Sequence, residues 1–174
     1  MKTCSMLVLL VLTATSGLGA EVKTELKTVD YVDLNRYLGT WYEIAKYPVR
    51  FEKGLVGITA TYSLRKDGKI LVLNAGKKGS MTGKDSRAKG KAWVIDKKTN
   101  SKLKVQFFWP FSGNYWIIGL GAEYDYAIIG DPSRKYLWIL YRKPKMDEAL
   151  YSDLLKQIEA HGYDLSKIEK TVQE

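Results

Sequence analysis

Cysteine and histidine are the scarcest reactive residues in this 174-residue sequence, with Cys4 and His161 as single examples. Cys4 lies in an N-terminal stretch that we expect to be removed, so the mature chain has no thiol for a disulfide, a nucleophile or a metal ligand. His161 falls near the end of a predicted external helix, which excludes a histidine-based catalytic, haem or metal site in the interior. No Gly-rich phosphate loop follows a predicted strand. We therefore expect no enzyme, metal or cofactor.

The N-terminus has the pattern of an export signal. Lys2 precedes a short apolar run, residues 6–12, and small residues follow at 17–20. The run is too short to span a bilayer. We predict a cleaved signal peptide over residues 1–20, with an anchor helix as the alternative, and one domain over 21–174. Cys4 precedes the apolar run, whereas an acylated cysteine would follow it, so we expect an exported protein of the periplasm or cell envelope without a lipid anchor.

Basic residues outnumber acidic ones, 28 to 19, which gives a formal charge of +9. Removal of Lys2 with the signal peptide would lower the formal charge by one, to +8. One interpretation is attraction to an anionic surface such as a membrane. The other, which we favour, is a solvated basic exterior, because the lysines are scattered through turns. No nucleic-acid partner is expected.

Short apolar runs recur about every ten residues between turn signals, which is typical of an antiparallel barrel or sandwich. In 102–107, polar and apolar residues alternate, so that one face meets water and the other is enclosed. Residues 66–69 predict a tight hairpin, residues 111–114 a turn, and the glycine-containing stretch 76–86 a longer flexible loop. The predicted strands are 40–47, 56–65, 69–75, 87–95, 102–109, 114–120, 124–129 and 135–142.

The enclosed face of the fourth predicted strand is small, because it consists of Ala88, Gly90 and Ala92. Small residues on one wall that face aromatic residues on others leave a volume unfilled. A barrel of about eight strands then holds one small ligand. The alternative is that these positions make room for a large neighbour in the core.

One amphipathic helix is predicted over residues 146–161, where an apolar residue recurs every fourth position from Met146 to Ile158. Asp147 and Glu148 suit the first turn, and Gly162 suits the position after the end. The helix is expected to pack on the outside of the barrel. The residues beneath it would be Tyr42, Ile44, Leu137 and Ile139.

Three ordered blocks resemble the signatures of the lipocalin family: residues 39–43 (Gly-Thr-Trp-Tyr-Glu), residues 124–127 (Tyr-Asp-Tyr-Ala) and residues 136–142, which end in arginine. The resemblance covers about residues 30–165 and is greatest to the subgroup of bacterial outer-membrane lipocalins and apolipoprotein D. It implies an all-β fold, an eight-stranded antiparallel up-and-down β-barrel with a C-terminal α-helix on the outside. Bacterial members are typically lipoproteins, so the missing lipobox cysteine is a departure, as is Tyr141 in place of a small residue.

Alternation points Trp41 and Arg142 inward at one end, where a guanidinium over an indole makes a cation–π contact. The resemblance gives this pair a structural role in closing the barrel floor. Alternation also aims six candidate ligand-binding residues at the interior, and the resemblance implies a pocket role for four of them, Asn74 and the residues at 62, 115 and 138. The alternative is a filled core whose polar groups are satisfied. The six are Tyr62, Asn74, Phe107, Trp109, Tyr115 and Trp138.

Together these features predict a protein that binds and carries or stores a small hydrophobic or amphiphilic ligand, such as a fatty acid or lysophospholipid, in cell-envelope lipid maintenance. Aromatic walls would supply apolar contact, and Asn74 and the tyrosines hydrogen bonds to a polar end. One alternative is a lipid-modifying enzyme on the same scaffold, with inward Glu43 as a base. We favour a Glu43 carboxylate that is satisfied by a nearby lysine or tyrosine. A second alternative is a basic surface module that binds anionic membranes.

Overall fold

A computed structural model describes residues 25–174, and the predicted signal peptide lies outside these residues. Each strand pairs antiparallel with the next, and the eighth pairs with the first. The prediction of a closed eight-stranded up-and-down barrel with one C-terminal helix is confirmed. The strands are β1 (Gly39–Lys46), β2 (Leu55–Leu64), β3 (Ile70–Lys78), β4 (Asp85–Val94), β5 (Lys102–Phe108), β6 (Phe111–Leu120), β7 (Tyr126–Gly130) and β8 (Leu137–Tyr141).

The up-and-down order places the connections alternately at the two ends of the barrel. The loops 47–54, 79–84, 109–110 and 131–136 surround one end, which we call the mouth. The turns 65–69, 95–101 and 121–125 lie at the other, the closed end, together with the short helix α1 (Leu34–Tyr37). Among the described residues, no helix is both long and apolar enough to cross a membrane.

Two predicted connections at the mouth are wrong in extent. The predicted loop 76–86 is shorter, because Gly76 pairs with Ser86 and Lys77 with Asp85, which extends both strands. Gly76 is suited to this pairing, since a Cβ there would lie 3.2 Å from the Val56 carbonyl oxygen. The predicted turn at 111–114 belongs to β6. Its first residue already pairs with the last residue of β5, which leaves residues 109–110 as the turn.

The closed end is sealed by Arg142 and Trp41. The guanidinium carbon of Arg142 lies 3.7 Å from the centre of the fully buried Trp41 ring. Its nitrogens donate hydrogen bonds of 2.8–3.2 Å to backbone carbonyl oxygens of the segment before and within β1 and of the β6–β7 turn. The Arg142 side chain thus holds α1 beneath the barrel. The accepting residues are Arg36, Tyr37, Leu38, Thr40 and Tyr124.

Helix α2 (Glu148–Ala160) packs on the outside of the barrel, as predicted. The Asp147 side chain caps its N-terminus by accepting hydrogen bonds from the backbone N–H groups at 149 and 150. Leu154 and Ile158 are fully buried. They belong to one apolar cluster with three of the outward-facing residues that were predicted beneath the helix, and Tyr42 packs against its edge. The three are Ile44, Leu137 and Ile139.

The C-terminal segment fills a gap that the eight strands leave, a feature that the sequence analysis did not predict. β1 and β2 pair only from Gly39 to Tyr42. Towards the mouth, the two-residue strand β9 (Glu169–Lys170) pairs with β1, while the Val172 carbonyl accepts a hydrogen bond from the Gly57 N–H at 2.7 Å. The Gln173 amide nitrogen donates to carbonyl oxygens of both strands, at 2.6 and 2.8 Å.

Replacement of Leu154 by alanine tests the helix docking. Leu154 is fully buried between α2 and the barrel, so Leu154→Ala leaves a cavity and is expected to lower the free energy of unfolding by about 2–5 kcal/mol. Urea unfolding followed by circular dichroism measures the change. Gln157→Ala, on the exposed face of the same helix, is the control and should change stability by less than about 0.5 kcal/mol. Equal effects would contradict the packing.

Candidate ligand-binding site

Three tyrosines meet inside the lower half of the barrel, near the closed end. The Tyr115 hydroxyl lies 2.6 Å from the Tyr37 hydroxyl and 2.9 Å from the Tyr62 hydroxyl. The Tyr37 and Tyr62 rings also pack together, with their centres 5.6 Å apart. Burial raises the pKa of Tyr62 to about 12 and the pKa of each of the other two well above the usual value, so all three phenols are neutral. We call them the tyrosine triad.

The triad and the aliphatic residues around it fill the lower interior. The cavity that they enclose has a volume of only about 10 Å³, which is room for one water molecule and not for an alkyl chain. The expectation of an unfilled, ligand-sized volume is therefore wrong for this half of the barrel. The reason is that Tyr37 enters from α1, which the alternation of the strands does not report. The aliphatic lining includes Ile70, Val72, Ala92, Leu103, Val105 and Ile117.

The small inner face of β4 serves two purposes along its length. At Gly90, the alternative interpretation is confirmed, because a Cβ there would lie 2.8 Å from Cδ1 of Phe107. The glycine makes room for that ring. Nearer the mouth, Ala88 shares the inner face and stands opposite Asn74, yet it is exposed. The upper interior is therefore open to solvent where the lower interior is filled.

We call this open part the upper recess and define it by four residues on the inner face towards the mouth: Asn74, Ala88, Phe107 and Trp138. Of these, Asn74, Phe107 and Trp138 are half-buried. The Asn74 side-chain oxygen is buried and has no hydrogen-bond partner. An unpaired buried acceptor costs about 1–3 kcal/mol, so a hydrogen-bond donor that reached this atom would be stabilised there.

A charged cluster lies beside the recess. The Lys46 ammonium is 3.1 Å from the Glu43 carboxylate and donates a hydrogen bond of 2.9 Å to Glu52, and all three residues are buried. A bulge in β1 between residues 43 and 45 keeps Glu43 and Lys46 on the inner face. The Trp138 indole N–H points to the same Glu52 oxygen at 3.4 Å, and its ring stacks on Tyr136.

The Glu43 carboxyl is the most perturbed acid of the cluster. Burial, together with the charge of Glu52, raises its pKa to about 7, although Lys46 and the Thr171 hydroxyl stabilise the ionised form. Thr171 donates to it at 2.6 Å, which ties the C-terminal segment to the interior. These contacts agree with the interpretation that a lysine satisfies the Glu43 carboxylate. They do not agree with the alternative, in which Glu43 is a free base.

The structure separates the six predicted ligand-binding residues into three groups. Asn74, Phe107 and Trp138 line the recess, whereas Tyr62 and Tyr115 are engaged in the triad. Trp109 is wrongly placed by the sequence analysis: it is 86% exposed in the turn at the mouth. β5 ends at residue 108 after a shift of register, so alternation does not extend to position 109.

Several interior residues were missed by the sequence analysis. Tyr37 lies in α1 rather than in a strand, and Lys46 was placed on a strand but not in the interior. Glu52 belongs to a short 3₁₀ helix in the loop after β1. Regular alternation from Glu43 would place Lys46 on the outer face, and the bulge that turns it inward has no signal in the sequence. His161 caps the C-terminus of α2 outside the barrel, and no metal-binding cluster of His, Cys, Asp or Glu occurs within residues 25–174.

Comparisons with known proteins agree with this architecture. A family model described as "Lipocalin-like domain" matches residues 32–173. The chain is 45% identical over 139 residues to the outer membrane lipoprotein Blc of Escherichia coli, covering 80% of this chain and 78% of that one. It is 41% identical to temperature-induced lipocalin-1 of Arabidopsis thaliana, with 87% and 84% covered. It is 36% identical to mouse apolipoprotein D, with 81% and 77% covered.

Solved structures show the same fold at low sequence identity. Insecticyanin from the tobacco hornworm superposes with a TM-score of 0.67 at 23% identity, covering 85% of this chain and 84% of that one. Lobster apocrustacyanin A1 gives 0.64 at 18% identity, with 80% and 79% covered.

The raised pKa of Glu43 predicts a pH dependence of stability. Its pKa is about 7 in the folded chain against 4.5 for the ordinary group, so the folded state holds the proton more tightly. This contribution to stability is complete below pH 4.5 and is lost as the pH rises through about 7. The free energy of unfolding of the wild type, relative to Glu43→Gln, should fall over this range by on the order of 3 kcal/mol.

Urea unfolding of both proteins across the same pH range provides the measurement. Glu159→Gln, which alters an exposed carboxylate of α2, is the control and should run parallel to the wild type. A constant difference between the wild type and Glu43→Gln at all pH values would show that the Glu43 carboxyl is not perturbed.

Proposed function

The chain belongs to the lipocalin family, in the subgroup of bacterial outer-membrane lipocalins and apolipoprotein D, and from this membership we propose that it binds and carries or stores an amphiphilic lipid in the upper part of its barrel. The family relationship supports a small hydrophobic ligand. The structure of the recess supports a more specific choice among the ligands expected from the sequence, which were fatty acids, lysophospholipids and similar lipids.

The observation that carries the proposal is the upper recess itself. It opens to the mouth and offers the aromatic surfaces of Phe107 and Trp138 beside the unpaired Asn74 oxygen. Apolar chain segments that leave water for such surfaces gain about 25 cal/mol per Å². An acyl chain that goes deeper than the recess has to displace the tyrosine triad and its two hydrogen bonds.

The polar groups favour a ligand that donates hydrogen bonds. The Asn74 oxygen requires a donor, and the nearby cluster sets the Glu52 carboxylate and the Glu43 carboxyl, whose pKa is about 7, against one ammonium. A glycerol hydroxyl or an ammonium meets this environment well, whereas an ionised fatty acid brings a further negative charge and no donor. We therefore favour a lysophospholipid over a fatty acid.

We propose a carrier and not an enzyme. The acidic group considered as a base, Glu43, is engaged by Lys46 and Thr171. His161 lies outside the barrel, and Cys4 belongs to the predicted signal. A lipid-modifying enzyme on this scaffold would need a reactive group that faces the recess, and its partners argue against Glu43 in that role.

We place this function in the cell envelope. The relatives called Blc are named outer membrane lipoproteins, which supports an envelope location for this chain. The position of Cys4 before the apolar run leads us to propose export without a lipid anchor, unlike the proteins with that name. The predicted mature domain, residues 21–174, would then act in the periplasm or at a membrane surface.

Filling the recess provides the test of the carrier proposal. Ala88→Phe introduces a ring on the inner face at an exposed position, so it should block the ligand without disturbing the core. Titration with 1-oleoyl lysophosphatidylethanolamine, followed by tryptophan emission, is expected to saturate for the wild type. The variant should bind more than about tenfold more weakly, which corresponds to about 1.4 kcal/mol.

Lys89→Phe is the matched control, because it adds the same ring to the outer face of the same strand, and it should bind like the wild type. The proposal is contradicted if the wild type shows no saturable binding, or if both variants bind equally. Oleate should compete poorly. Competition by oleate as strong as that by the lysophospholipid would overturn the preference for a donor group.

A further inference from the structure

The mouth carries large aromatic side chains that no other part of the described chain covers. Phe108, Trp109 and Phe111 are 77%, 86% and 77% exposed, and Phe51 on the loop after β1 is 66% exposed. Three of these rings lie within four consecutive residues. Phe108 pairs with Phe111 across the turn, so the three rings are also close in space. We call residues 108–111 the aromatic tip. Exposed aromatic clusters of this kind mark interaction sites.

The closed end differs in its apolar exposure. Its large exposed apolar side chains are isolated: Tyr31 in the segment before α1, Leu64 at the end of β2 and Ile95 in the turn after β4. Single exposed apolar residues are ordinary on a protein surface. The concentration of rings at the mouth is therefore a property of that end and not of the whole surface.

Exposed basic residues surround the same opening. They lie in, or at the ends of, the loops after β1, β3 and β7, and none makes an ion pair with any residue in 25–174. Among the acidic groups nearby, Asp85 pairs with Lys77 at 2.6 Å and Glu52 is buried against Lys46. The Asp131 carboxylate is buried and accepts hydrogen bonds from backbone N–H groups of its own loop, and Glu169 is exposed. Apart from the Asp85–Lys77 pair, five exposed basic residues against one exposed acidic residue give the mouth an excess of positive charge. The basic residues are Arg50, Lys53, Lys78, Lys84 and Lys135.

We propose that the mouth is a docking surface for an anionic phospholipid membrane. The aromatic tip inserts at the head-group level, where the Trp109 ring finds both apolar and polar surroundings. The rings of Phe108 and Phe111 add apolar area that enters the acyl region. The basic residues lie against the lipid phosphates. An anionic membrane is the partner that complements both features of the rim, because its phosphates match the positive charge and its apolar region matches the rings.

This proposal does not depend on ligand binding in the recess, but it predicts how the recess is oriented relative to the bilayer. With the rim against the bilayer, the barrel opens directly towards lipid. The sequence analysis favoured a solvated basic exterior with no particular binding surface. We infer instead that one end of the barrel, the mouth, contacts the membrane.

The charge component is tested by cosedimentation with vesicles. The mature protein should bind vesicles of phosphatidylcholine mixed with phosphatidylglycerol, should lose binding as salt is added, and should bind pure phosphatidylcholine weakly. The variant Lys53→Glu, Lys84→Glu, Lys135→Glu reverses charge at the mouth, and its affinity should fall more than about tenfold.

A matched control reverses the same number of charges at the closed end: Lys66→Glu, Lys97→Glu, Lys98→Glu. All three positions are exposed turn residues, so the net charge changes equally. This variant should stay within about threefold of the wild type. Equal losses in both variants would show that overall charge, and not the mouth, is responsible, and absence of wild-type binding would also overturn the proposal.

The aromatic tip is tested separately. The variant Phe108→Ser, Trp109→Ser, Phe111→Ser should bind vesicles more weakly, and Leu64→Ser, Ile95→Ser at the closed end should not. Brominated lipids should quench the tryptophan emission of the wild type more than that of Trp109→Phe. Equal quenching would place the tip outside the bilayer and contradict the proposal.

Titration of the two charge-reversed variants with soluble lysophospholipid separates docking from carriage. Retained ligand binding alongside lost vesicle binding in the mouth variant, Lys53→Glu, Lys84→Glu, Lys135→Glu, identifies the docking surface as a separate element. Failure of the wild type to bind the lysophospholipid, with vesicle binding intact, would overturn the carrier function alone.

Discussion

The guanidinium of Arg142 is the contact on which the interior of this barrel depends. It covers the Trp41 ring and donates to carbonyl oxygens that belong to α1, to β1 and to the β6–β7 turn. A planar group with five N–H donors is suited to collecting so many acceptors at one point. By holding α1 beneath the strands, it also fixes Tyr37, whose hydroxyl completes the tyrosine triad. The triad in turn determines how deep the accessible interior reaches.

The two halves of the interior therefore differ in polarity as well as in filling. Near the closed end, the buried polar groups are neutral phenols that satisfy one another. Near the mouth, Glu43, Lys46 and Glu52 are buried charges, which are costly to desolvate and persist only with close partners. The C-terminal segment supplies one such partner through Thr171, while it fills the gap between β1 and β2. The same segment thus completes the wall and stabilises the charge behind it.

Much of the fold could be predicted from the sequence, because strand alternation, turn residues and one helical stripe are local signals. The outward position of Ile44, Leu137 and Ile139 beneath α2 followed from the same rule. Alternation reports which face a residue occupies but not what it meets there. The ring of Phe107 over Gly90 and the entry of Tyr37 from α1 both depend on distant parts of the chain.

The candidate site was predictable only in part, for related reasons. Asn74 and Trp138 lie in the recess because they sit well inside regular strands. Trp109 does not, because alternation ends where the strand ends. Glu52 and Thr171 come from a loop and from a segment after the last helix, where no periodic pattern exists. Contacts between such segments arise from the closed barrel and are absent from any short window of sequence.

The physical chemistry of an amphiphile connects the recess to the mouth. An acyl chain that crosses water exposes apolar area at a cost of about 25 cal/mol for each Å², and the rings at residues 51, 108, 109 and 111 reduce that exposed path. Positive charge at the rim attracts phosphate, whereas the cluster deeper inside is rich in carboxylates. A lysophospholipid with its phosphate at the rim and its hydroxyl and chain in the recess would meet favourable charge along its whole length. A fatty acid with its carboxylate in the recess would not.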